Sequence, residues 1–338
     1  MDDLHIGTQS VRFDAPPSIL SFAAIGGKKE QEGPLASYFD FLSSDTTFGQ
    51  KSWEKAESEL QKRALDTALR KLDVKYKDLD ALFAGDLLNQ CIGSAFAMRE
   101  TGIPFLGLYG ACSTMAESLL LASAAVNAGY ARRAAALTSS HFASAERQYR
   151  FPLEYGGQRT PTAQWTVTGS GAAILKSSGN GPFITHVTPG KIVDAGIKDA
   201  NNMGSAMAPS AYETLKAHFE DTGRTPDYYD RIVTGDLGVL GHDTLEDLFR
   251  RDGMTLGKHY NDCGILIFDI QKQDVHAGGS GCGCSASVFA SYIMRGFADG
   301  FWSKVLFAPT GALMSPTSAQ QGDSIPGICH AVAIEKTL

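Results

Sequence analysis

An internal repeat constrains the fold of this chain more than any other feature of its sequence. Residues 80–88 (DALFAGDLL) match residues 230–238 (DRIVTGDLG), and each segment predicts a short buried strand that ends in Gly-Asp-Leu. The two segments lie 150 positions apart, so they place Asp86 and Asp236 at the ends of equivalent strands. The chain is therefore predicted to contain two copies of one structural unit.

A second set of matching segments supports the duplication. Residues 110–114 (GACST) match residues 281–285 (GCGCS), and residues 127–133 match residues 298–304, both at an offset of 171 positions. The first match opens a helix in each copy, and the second carries the glycine that ends it. Because the two offsets differ by 21, we expect an insertion of 21 residues in the second copy, between Asp236 and Gly283.

Helices and strands alternate in both copies. Amphipathic helices are predicted over residues 52–72 and, roughly, 210–219, each ahead of a repeated strand. Further strands are predicted at residues 134–140, 171–175, 305–311 and 330–334. The alternation predicts an α/β protein with mainly parallel sheets, and the two copies divide the chain into residues 1–180 and 181–338.

The composition is that of a folded globular protein, with 43% hydrophobic and 20% charged residues. A net charge of −7 and the lack of long Lys/Arg runs argue against nucleic-acid binding. The N-terminus resembles no secretory signal and no apolar run is long enough for a membrane span, so we expect the protein to remain on the cytoplasmic side. The six cysteines are too scattered for a disulfide framework and lack zinc-ligand spacing. We expect reduced thiols, no metal and no cofactor.

Polar residues follow the predicted strands, at the sheet edge where α/β proteins bind ligands. Cys112 stands out because it lies at a helix N-terminus, where unpaired amide groups and the helix dipole stabilise a thiolate. A free cysteine is also common as a small buried apolar residue, and both interpretations remain open. The candidate residues at this edge are Asp86, Cys112, Ser139, Ser140, His141, Asp236 and Thr310.

Several short segments, in order along the chain, resemble a known protein family. They are residues 105–114 (FLGLYGACST), 138–141 (TSSH), 154–157 (EYGG), 203–209 (MGSAMAP), 262–264 (DCG) and 277–282 (AGGSGC). A duplicated unit with a cysteine at a strand-to-helix turn resembles the thiolase and ketoacyl-synthase superfamily, and the segments resemble its stage V sporulation protein AD family. The resemblance covers nearly the whole chain. It implies two similar halves with mixed, mainly parallel sheets in an α/β/α/β/α arrangement.

The resemblance also implies a function in sporulation and spore germination. The ligand would be dipicolinic acid (pyridine-2,6-dicarboxylate), free or as its calcium chelate, and the protein would support its uptake into the developing spore. The partners would be membrane subunits from the same operon, which would hold the protein at the cytoplasmic face of the forespore or spore inner membrane. By analogy with the fold we expect a homodimer, in which the sheet strand after Ser139 continues across the two-fold axis.

Catalysis is disfavoured because acyl transfer needs a base for the thiol proton and donors for the oxyanion. In condensing members of the superfamily a histidine after the second-half strand and a histidine or asparagine in the glycine-rich loop fill these roles. Here those places read TGDL (residues 234–237) and GGSG (residues 278–281), and His242 and His276 are displaced from the pattern. We therefore expect a non-catalytic binding protein whose ligand contacts Cys112, Ser139, Ser140, His141, Asp86, Asp236 and Gly279. The alternatives are an acyl-thioester condensing or hydrolysing enzyme that uses Cys112, and a scaffold with a vestigial pocket.

The charge of a dicarboxylate ligand requires compensation. Ionised Asp86 and Asp236 would repel it, unless they cap loops, hydrogen-bond a donor in the pocket or share a proton with the ligand. The segment 147–165 is polar, aromatic and too long for an ordinary connection, so we expect it to line a pocket or to form a dimer contact. Positive charge is expected from the helix start at Cys112 and from Arg147, Arg159 or Lys191.

Overall fold

The computed structural model describes residues 4–149 and 159–338. Its strands are β1 (His5–Ile6), β2 (Ser10–Arg12), β3 (Ser18–Gly26), β4 (Phe41–Leu42), β5 (Ala81–Gly85), β6 (Phe105–Leu108), β7 (Arg133–Ser140), β8 (Trp165–Thr166), β9 (Gly169–Lys176), β10 (Phe183–Thr188), β11 (Arg231–Thr234), β12 (Tyr260–Asp262), β13 (Gly279–Ser280), β14 (Lys304–Ala308), β15 (Thr310–Ala312), β16 (Gly327–Cys329) and β17 (Ala331–Glu335). Its α-helices are α1 (Lys28–Gln31), α2 (Trp53–Lys71), α3 (Ile92–Met98), α4 (Thr114–Asn127), α5 (Phe142–Tyr149), α6 (Met203–Thr222), α7 (Gly238–Arg251), α8 (Cys263–Leu266), α9 (Cys282–Val288), α10 (Met294–Ala298) and α11 (Pro316–Gln320).

The order of the strands repeats the duplication seen in the sequence. The main sheet runs β12-β11-β14-β17-β10-β3-β9-β7-β5-β6. From the middle outward, the first half reads β3-β9-β7-β5-β6 and the second half reads β10-β17-β14-β11-β12. In both halves the three outer strands are mutually parallel, and the two inner strands are antiparallel to each other. The halves meet where Phe183 pairs with Ser18, and the predicted division at residues 180/181 falls in the connection between β9 and β10.

Among the described residues, three large hydrophobic cores give the molecule five layers. The first core lies between α2 and the outer face of the first-half strands, and the second lies between the helices α6 and α7 and the second-half strands. The third core lies between the two sets of strands and contains α4 together with α9, which continues through a π-helical turn into α10. This is the predicted α/β/α/β/α arrangement. It places the N-termini of α4 and α9 side by side at one edge of the molecule.

The glycines that end the two central helices confirm the second set of sequence matches. Gly129 follows α4 and Gly300 follows α10, and both have a positive φ, of 71° and 78°. A positive φ is disfavoured for residues with a Cβ atom, which explains why both copies carry glycine here. The additional residues of the second copy lie in the longer helix α7, in α8 and in the loop that leads to β13.

Three predictions about elements are corrected by the structure. Helix α6 begins at Met203 rather than near residue 210, because Asn202 caps it and its first turns bury apolar side chains in spite of Pro209. The strand predicted over residues 305–311 is divided at Pro309 into β14 and β15, since proline has no N–H to donate. The third prediction places the sheet strand after Ser139 at the two-fold axis of a homodimer. Strand β7, which contains Ser139, is instead paired on both sides within the chain, with β5 and β9, and β9 is itself internal. The edge strand of the first half is β6.

Candidate functional site

Cys112 lies in a tight turn between β6 and α4. Residues Ala111–Ser113 form a 3-10 turn, and Ala111 adopts a positive φ of 53° that is uncommon for a residue with a side chain. The turn packs against Gly311, where a Cβ atom would lie 2.6 Å from the carbonyl oxygen of Gly110. This close approach brings Cys112 to the end of β14 and β15 in the other half. The thiol is nearly buried at the inner end of a cavity.

The cavity has a volume of about 270 Å³ and is built by both halves of the molecule. Its walls come from the turn at Cys112, from α5, from the paired strands β8 and β13, and from the segment ahead of α6. The described residues that line it are Leu87, Ala111, Cys112, Ala145, Glu146, Tyr149, Arg159, Thr166, Ala200, Asn201, Met203, Ser280, Ala312 and Met314. A cavity of this size suits a ligand smaller than a typical drug molecule.

Asp236 is the buried charge behind this cavity. Its Oδ2 atom accepts hydrogen bonds from the backbone N–H of Gly281 (3.0 Å) and the hydroxyl of Ser280 (3.1 Å), and its Oδ1 accepts one from Thr310 (3.2 Å). The thiol of Cys112 is a further hydrogen-bonding partner of this carboxylate. Burial raises the pKa of Asp236 to about 6, and these hydrogen bonds oppose the rise.

The Cys112 thiol is unsuited to be a nucleophile in this environment. Burial is the largest cause that raises its pKa well above the usual value, and the neighbouring carboxylate of Asp236 raises it further. A thiolate is the reactive form of cysteine, so a buried thiol beside an anion stays protonated at neutral pH. No histidine is among the described residues of the cavity wall. The described residues around the thiol thus offer hydrogen-bonding groups but no histidine base.

Arg159 is the cation of the described cavity wall. One of its nitrogens, Nη2, contacts the carboxylate (2.6 Å) and the backbone oxygen (3.1 Å) of Asp274, and its guanidinium lies over the ring of Trp165. The other terminal nitrogen, Nη1, is buried and has no hydrogen-bond partner within the described residues. An unsatisfied buried donor of a cation costs free energy, and a carboxylate ligand would satisfy it.

Several predicted ligand residues do not reach the cavity. Asp86 is enclosed in its own half, and the hydroxyl of Ser139 contacts Glu57 in the first-half core. Ser140 donates its hydroxyl to the backbone oxygen of Val167. Gly279 lies one residue before Ser280 in β13 and is needed for packing, because a Cβ atom there would lie 2.8 Å from Ile267.

His141 belongs to a different cavity, of about 440 Å³, which it lines together with Lys28, Lys29 and Trp53. Its ring is held between the carbonyl oxygen of Thr46 (2.8 Å from Nε2) and the backbone N–H of Ala143 (3.1 Å from Nδ1). Burial lowers the pKa of His141, so the ring is neutral and its hydrogen-bonding atoms are satisfied. Its role in this structure is to fix the start of α5.

The other charged candidates have local partners. His242 stacks on Tyr260, and His276 contacts the carbonyl oxygen of Thr160, so neither approaches Cys112. Arg147 pairs with Glu54, and Lys191 is exposed. Of the segment 147–165, the residues Tyr149 and Arg159 line the Cys112 cavity as predicted, whereas the motif at 154–157 lies outside the described residues.

The sequence analysis missed some of the cavity wall. The glycine-rich loop predicts contact at Gly279, whereas the cavity wall contains the adjacent Ser280. Neighbouring side chains of a strand lie on opposite faces, so only one of the two residues can line the cavity. Asn201 and Met203 come from the start of α6, more than 80 positions from Cys112, and no periodicity in the sequence connects them to it. Their one signal was the motif at residues 203–209.

Comparisons with known proteins agree with this fold. Residues 7–335 match the family model for stage V sporulation protein AD. The chain belongs to this family. It is 47% identical over 330 residues to stage V sporulation protein AD of Bacillus subtilis (strain 168), which covers 98% of this chain and 97% of the relative.

Solved structures show the superfamily fold. 3-Oxoacyl-[acyl-carrier-protein] synthase III from Aquifex aeolicus superposes with a TM-score of 0.58 at 11% identity, over 94% of this chain and 99% of that chain. OleA from Xanthomonas campestris with bound cerulenin gives 0.61 at 14% identity, over 96% and 97%. Human mitochondrial 3-ketoacyl-CoA thiolase gives 0.55 at 10% identity, over 95% and 98%. At these identities the likeness concerns the fold, and the chain is a sporulation protein with a thiolase-like fold.

Proposed function

We propose that this sporulation protein is a non-catalytic binding protein for dipicolinic acid and that the Cys112 cavity holds the ligand. The observation that carries the proposal is that one small cavity combines a protonated, buried thiol with a guanidinium nitrogen that has no hydrogen-bond partner among the described residues. Arg159 Nη1 supplies the charge-assisted donor for one carboxylate, and the thiol of Cys112 and the hydroxyl of Ser280 line the inner end. The apolar side chains of Leu87, Met203 and Met314 suit the faces of a pyridine ring.

The volume of the cavity supports a ligand of this size. At about 270 Å³ it is large enough for one aromatic ring with two carboxylates, but it is small for an acyl chain together with a second substrate. The high pKa of the Cys112 thiol further disfavours the alternative of an acyl-thioester enzyme. Within the family, binding of the ligand would support its uptake into the developing spore.

Calorimetric titration tests this proposal directly. We expect dipicolinate to bind the purified protein, and Arg159→Gln to weaken the affinity at least about tenfold, the effect of losing one charge-assisted hydrogen bond. Arg147→Gln is the matched control, because Arg147 pairs with Glu54 and does not line the cavity, so its affinity should remain within about twofold of the wild type. A folded wild-type protein that binds no dipicolinate would refute the proposal. An acyl adduct formed on Cys112 from acyl-CoA would instead favour the enzyme.

The proposed homodimer is supported by the free edge of β6 rather than by β7. Strand β6 pairs with β5 on one side, and Phe105, Leu106 and Tyr109 are exposed around its other edge. An exposed apolar strand edge favours pairing with another chain, and a two-fold axis beside β6 would place the two Cys112 cavities near the interface. Light scattering should show a dimer at micromolar concentration, and Leu106→Lys should give a monomer. A wild-type monomer would refute it.

We also propose that the protein attaches to the spore inner membrane through membrane subunits, on the cytoplasmic face. Among residues 4–149 and 159–338, no helix combines the length and the apolar character needed to cross a bilayer. Attachment through partners predicts that the isolated protein does not float with protein-free liposomes. Flotation in their absence would contradict it.

A further inference from the structure

A second groove lies at the opposite edge of the second-half sheet from the Cys112 cavity. It has a volume of about 580 Å³ and is lined by four aromatic residues, Tyr38, Tyr292, Phe301 and Trp302, and by charged residues that include Arg231 and Lys258. Arg231 and Phe301 lie at the start of β11 and ahead of β14, whereas Asp236 and Thr310 follow these two strands. A molecule in this groove would leave access to the Cys112 cavity free.

The aromatic rings form a continuous apolar floor. Ring centroids are 5.0 Å apart for Tyr292 and Trp302, 6.2 Å for Phe301 and Trp302, and 6.3 Å for Tyr38 and Tyr292. The indole N–H of Trp302 is donated to the backbone oxygen of Ile293, so only the apolar part of this ring faces the groove. Phe301 is 68% exposed, although it belongs to this cluster. Tyr38 and Tyr292 are half-buried and Trp302 is buried, so Phe301 is the accessible ring of the cluster. An exposed aromatic ring on such a cluster is typical of a binding surface.

Two cations, Arg231 and Lys258, lie beside this floor. The Arg231 guanidinium lies 5.5 Å from the Trp302 ring centroid and donates to the backbone oxygen of Asp230. Within the described parts of the chain, neither Arg231 nor Lys258 forms an ion pair. The Asp230 carboxylate also lines the groove, and its Oδ2 atom accepts the backbone N–H groups of Ser303 (2.6 Å) and Lys304 (3.0 Å). The groove therefore offers two cations, Arg231 and Lys258, and one carboxylate, Asp230, next to an apolar surface in a protein whose net charge is −7.

The first copy of the repeat shows what the second copy has gained. Asp80 is the counterpart of Asp230 and likewise accepts two backbone N–H groups, those of Arg132 and Arg133. Its carboxylate also accepts a hydrogen bond from the guanidinium of Arg132, at 2.8 Å. Ser303 replaces that arginine in the second copy.

Trp302 stands where the first copy has Ala131, and its indole fits because residue 296 is glycine. A Cβ atom at Gly296 would lie 1.9 Å from the indole ring. The first copy therefore has an ion pair between Asp80 and Arg132 where the second copy has an aromatic floor beside cations.

We propose that this groove, lined by Tyr38, Arg231, Lys258, Tyr292, Phe301 and Trp302, binds a segment of another protein in which an aromatic or aliphatic side chain is flanked by acidic residues. The apolar side chain would pack on Trp302 and Phe301, and the acidic residues would pair with Arg231 and Lys258. Because the protein is acidic as a whole, binding depends on these local cations and falls as salt is added. The inference is independent of which ligand occupies the Cys112 cavity.

A labelled peptide with one central phenylalanine between aspartate and glutamate residues is the probe for fluorescence anisotropy. We expect the full chain to bind it at low salt, and Arg231→Glu and Phe301→Ser to weaken binding at least tenfold. Tyr130→Ser is the matched control, since Tyr130 is the counterpart of Phe301 in the first copy and is 78% exposed, and its affinity should not change. A peptide with lysine in place of the acidic residues should not bind.

Three outcomes would overturn the proposal. The first is that the wild-type chain does not bind the acidic peptide, and the second is that Tyr130→Ser weakens binding as much as Phe301→Ser does. The third is that the chain sediments with phosphatidylglycerol vesicles and loses this with Phe301→Ser, which would assign the groove to a lipid surface. Dipicolinate titrations on the same variants should match the wild type, which separates a failure of the groove from a failure of the Cys112 cavity.

Discussion

Asp86 and Asp236 end equivalent strands in the two halves, yet their carboxylates contact different groups. Asp86 accepts hydrogen bonds from the backbone N–H of Leu88 in the loop that follows it, and from the N–H and hydroxyl of Ser94 in the first turn of α3. Asp236 accepts none from its own loop and instead contacts Ser280, Gly281 and Thr310 near the cavity. The same backbone position therefore serves loop structure in one half and the candidate site in the other.

Asp262 explains why Asp236 is free to face the cavity. Its carboxylate accepts the backbone N–H of Leu237 (3.0 Å) and Gly238 (3.0 Å), the second of which is the counterpart of Leu88 in the first half. It also accepts the hydroxyl of Thr234 and the N–H of Gly264. Asp262 at the end of β12 thus holds the loop that Asp86 holds for itself. Asp236 is thereby left to contact Ser280, Gly281 and Thr310 behind the cavity.

The largest expected effect concerns Asp262. Asp262→Ala removes the acceptor of four hydrogen bonds in a fully buried position, so we expect the free energy of unfolding to fall by at least about 3 kcal/mol, measured by urea denaturation. Asp227→Ala, at an exposed position, is the control and should be neutral.

Asp262→Asn keeps the experiment informative if the alanine variant does not fold. Its amide oxygen can still accept part of these hydrogen bonds, and we expect a smaller loss. An alanine variant as stable as the wild type would show that Asp262 does not hold the loop.

The next effect separates Asp236 from Asp86 in ligand binding. Asp236→Asn removes a buried negative charge behind the cavity, and we expect it to tighten dipicolinate binding about tenfold at pH 7.5, or about 1.4 kcal/mol. Asp86→Asn, its counterpart in the other half, should change the affinity by less than about twofold. Equal effects of the two variants in calorimetry would contradict the assignment of Asp236 to the site.

The pH dependence of binding follows from the same carboxylate. Since burial raises the pKa of Asp236 to about 6, the group gains a proton as the pH falls from 7.5 to 5.5, and its repulsion of a dianion is lost. Ordinary carboxyl groups, with pKa values near about 4, remain ionised on the ligand. Wild-type affinity should therefore rise over this window, and Asp236→Asn should abolish the rise. Asp236 lies behind the cavity, and the described titratable groups on the cavity wall itself are Glu146, Tyr149, Arg159 and Cys112.

The stability of the fold changes with pH in the same direction. The folded-state pKa of Asp236 lies above its ordinary value of 3.8, so its contribution to stability is fully present below that value. The contribution is lost as the pH rises through about 6.

The sequence predicted the fold well because the fold depends on short-range patterns that were duplicated. Strands β5 and β11, the helix starts at Cys112 and Cys282, and the glycines after α4 and α10 all lie where the repeat places them. The exceptions occur where tertiary contacts override local preference. Helix α6 extends past Pro209 because the residues ahead of it are buried, and a proline divides the strand after residue 304.

The side-chain contacts of the site were less predictable. His141 follows Ser140 directly, but the chain turns into α5 there and directs the ring to Thr46, which is 95 residues away in sequence. Arg159 was one of three equal candidates, and only the position of β8 beside β13 places it at the cavity. In the second half Asp262, rather than Asp236, accepts the N–H groups of the loop after β11. This depends on the distance between the ends of β11 and β12, which no sequence pattern encodes.

The smallest expected effect is that of Cys112→Ser, at a position whose counterpart in the second half is Gly283. In the second half a side chain is excluded at this position, because a Cβ atom would lie 2.4 Å from the backbone oxygen of Gly169. In the first half the same turn has room for a thiol that faces the cavity. Cys112→Trp should fill that space and abolish dipicolinate binding, and circular dichroism should show that the variant remains folded.

Cys112→Ser separates binding from catalysis. A hydroxyl is nearly isosteric with the thiol and can still donate a hydrogen bond to Asp236 or to a carboxylate of the ligand, so we expect it to cost about 1 kcal/mol or less of binding free energy. If sulfur acted as a nucleophile, the same change would abolish function, because a serine hydroxyl without a histidine base is almost inert at neutral pH. The Asp236 carboxylate is a poor substitute for that base, since it lowers the tendency of the thiol to ionise. A folded Cys112→Ser protein without detectable dipicolinate binding in calorimetry would therefore overturn the non-catalytic interpretation.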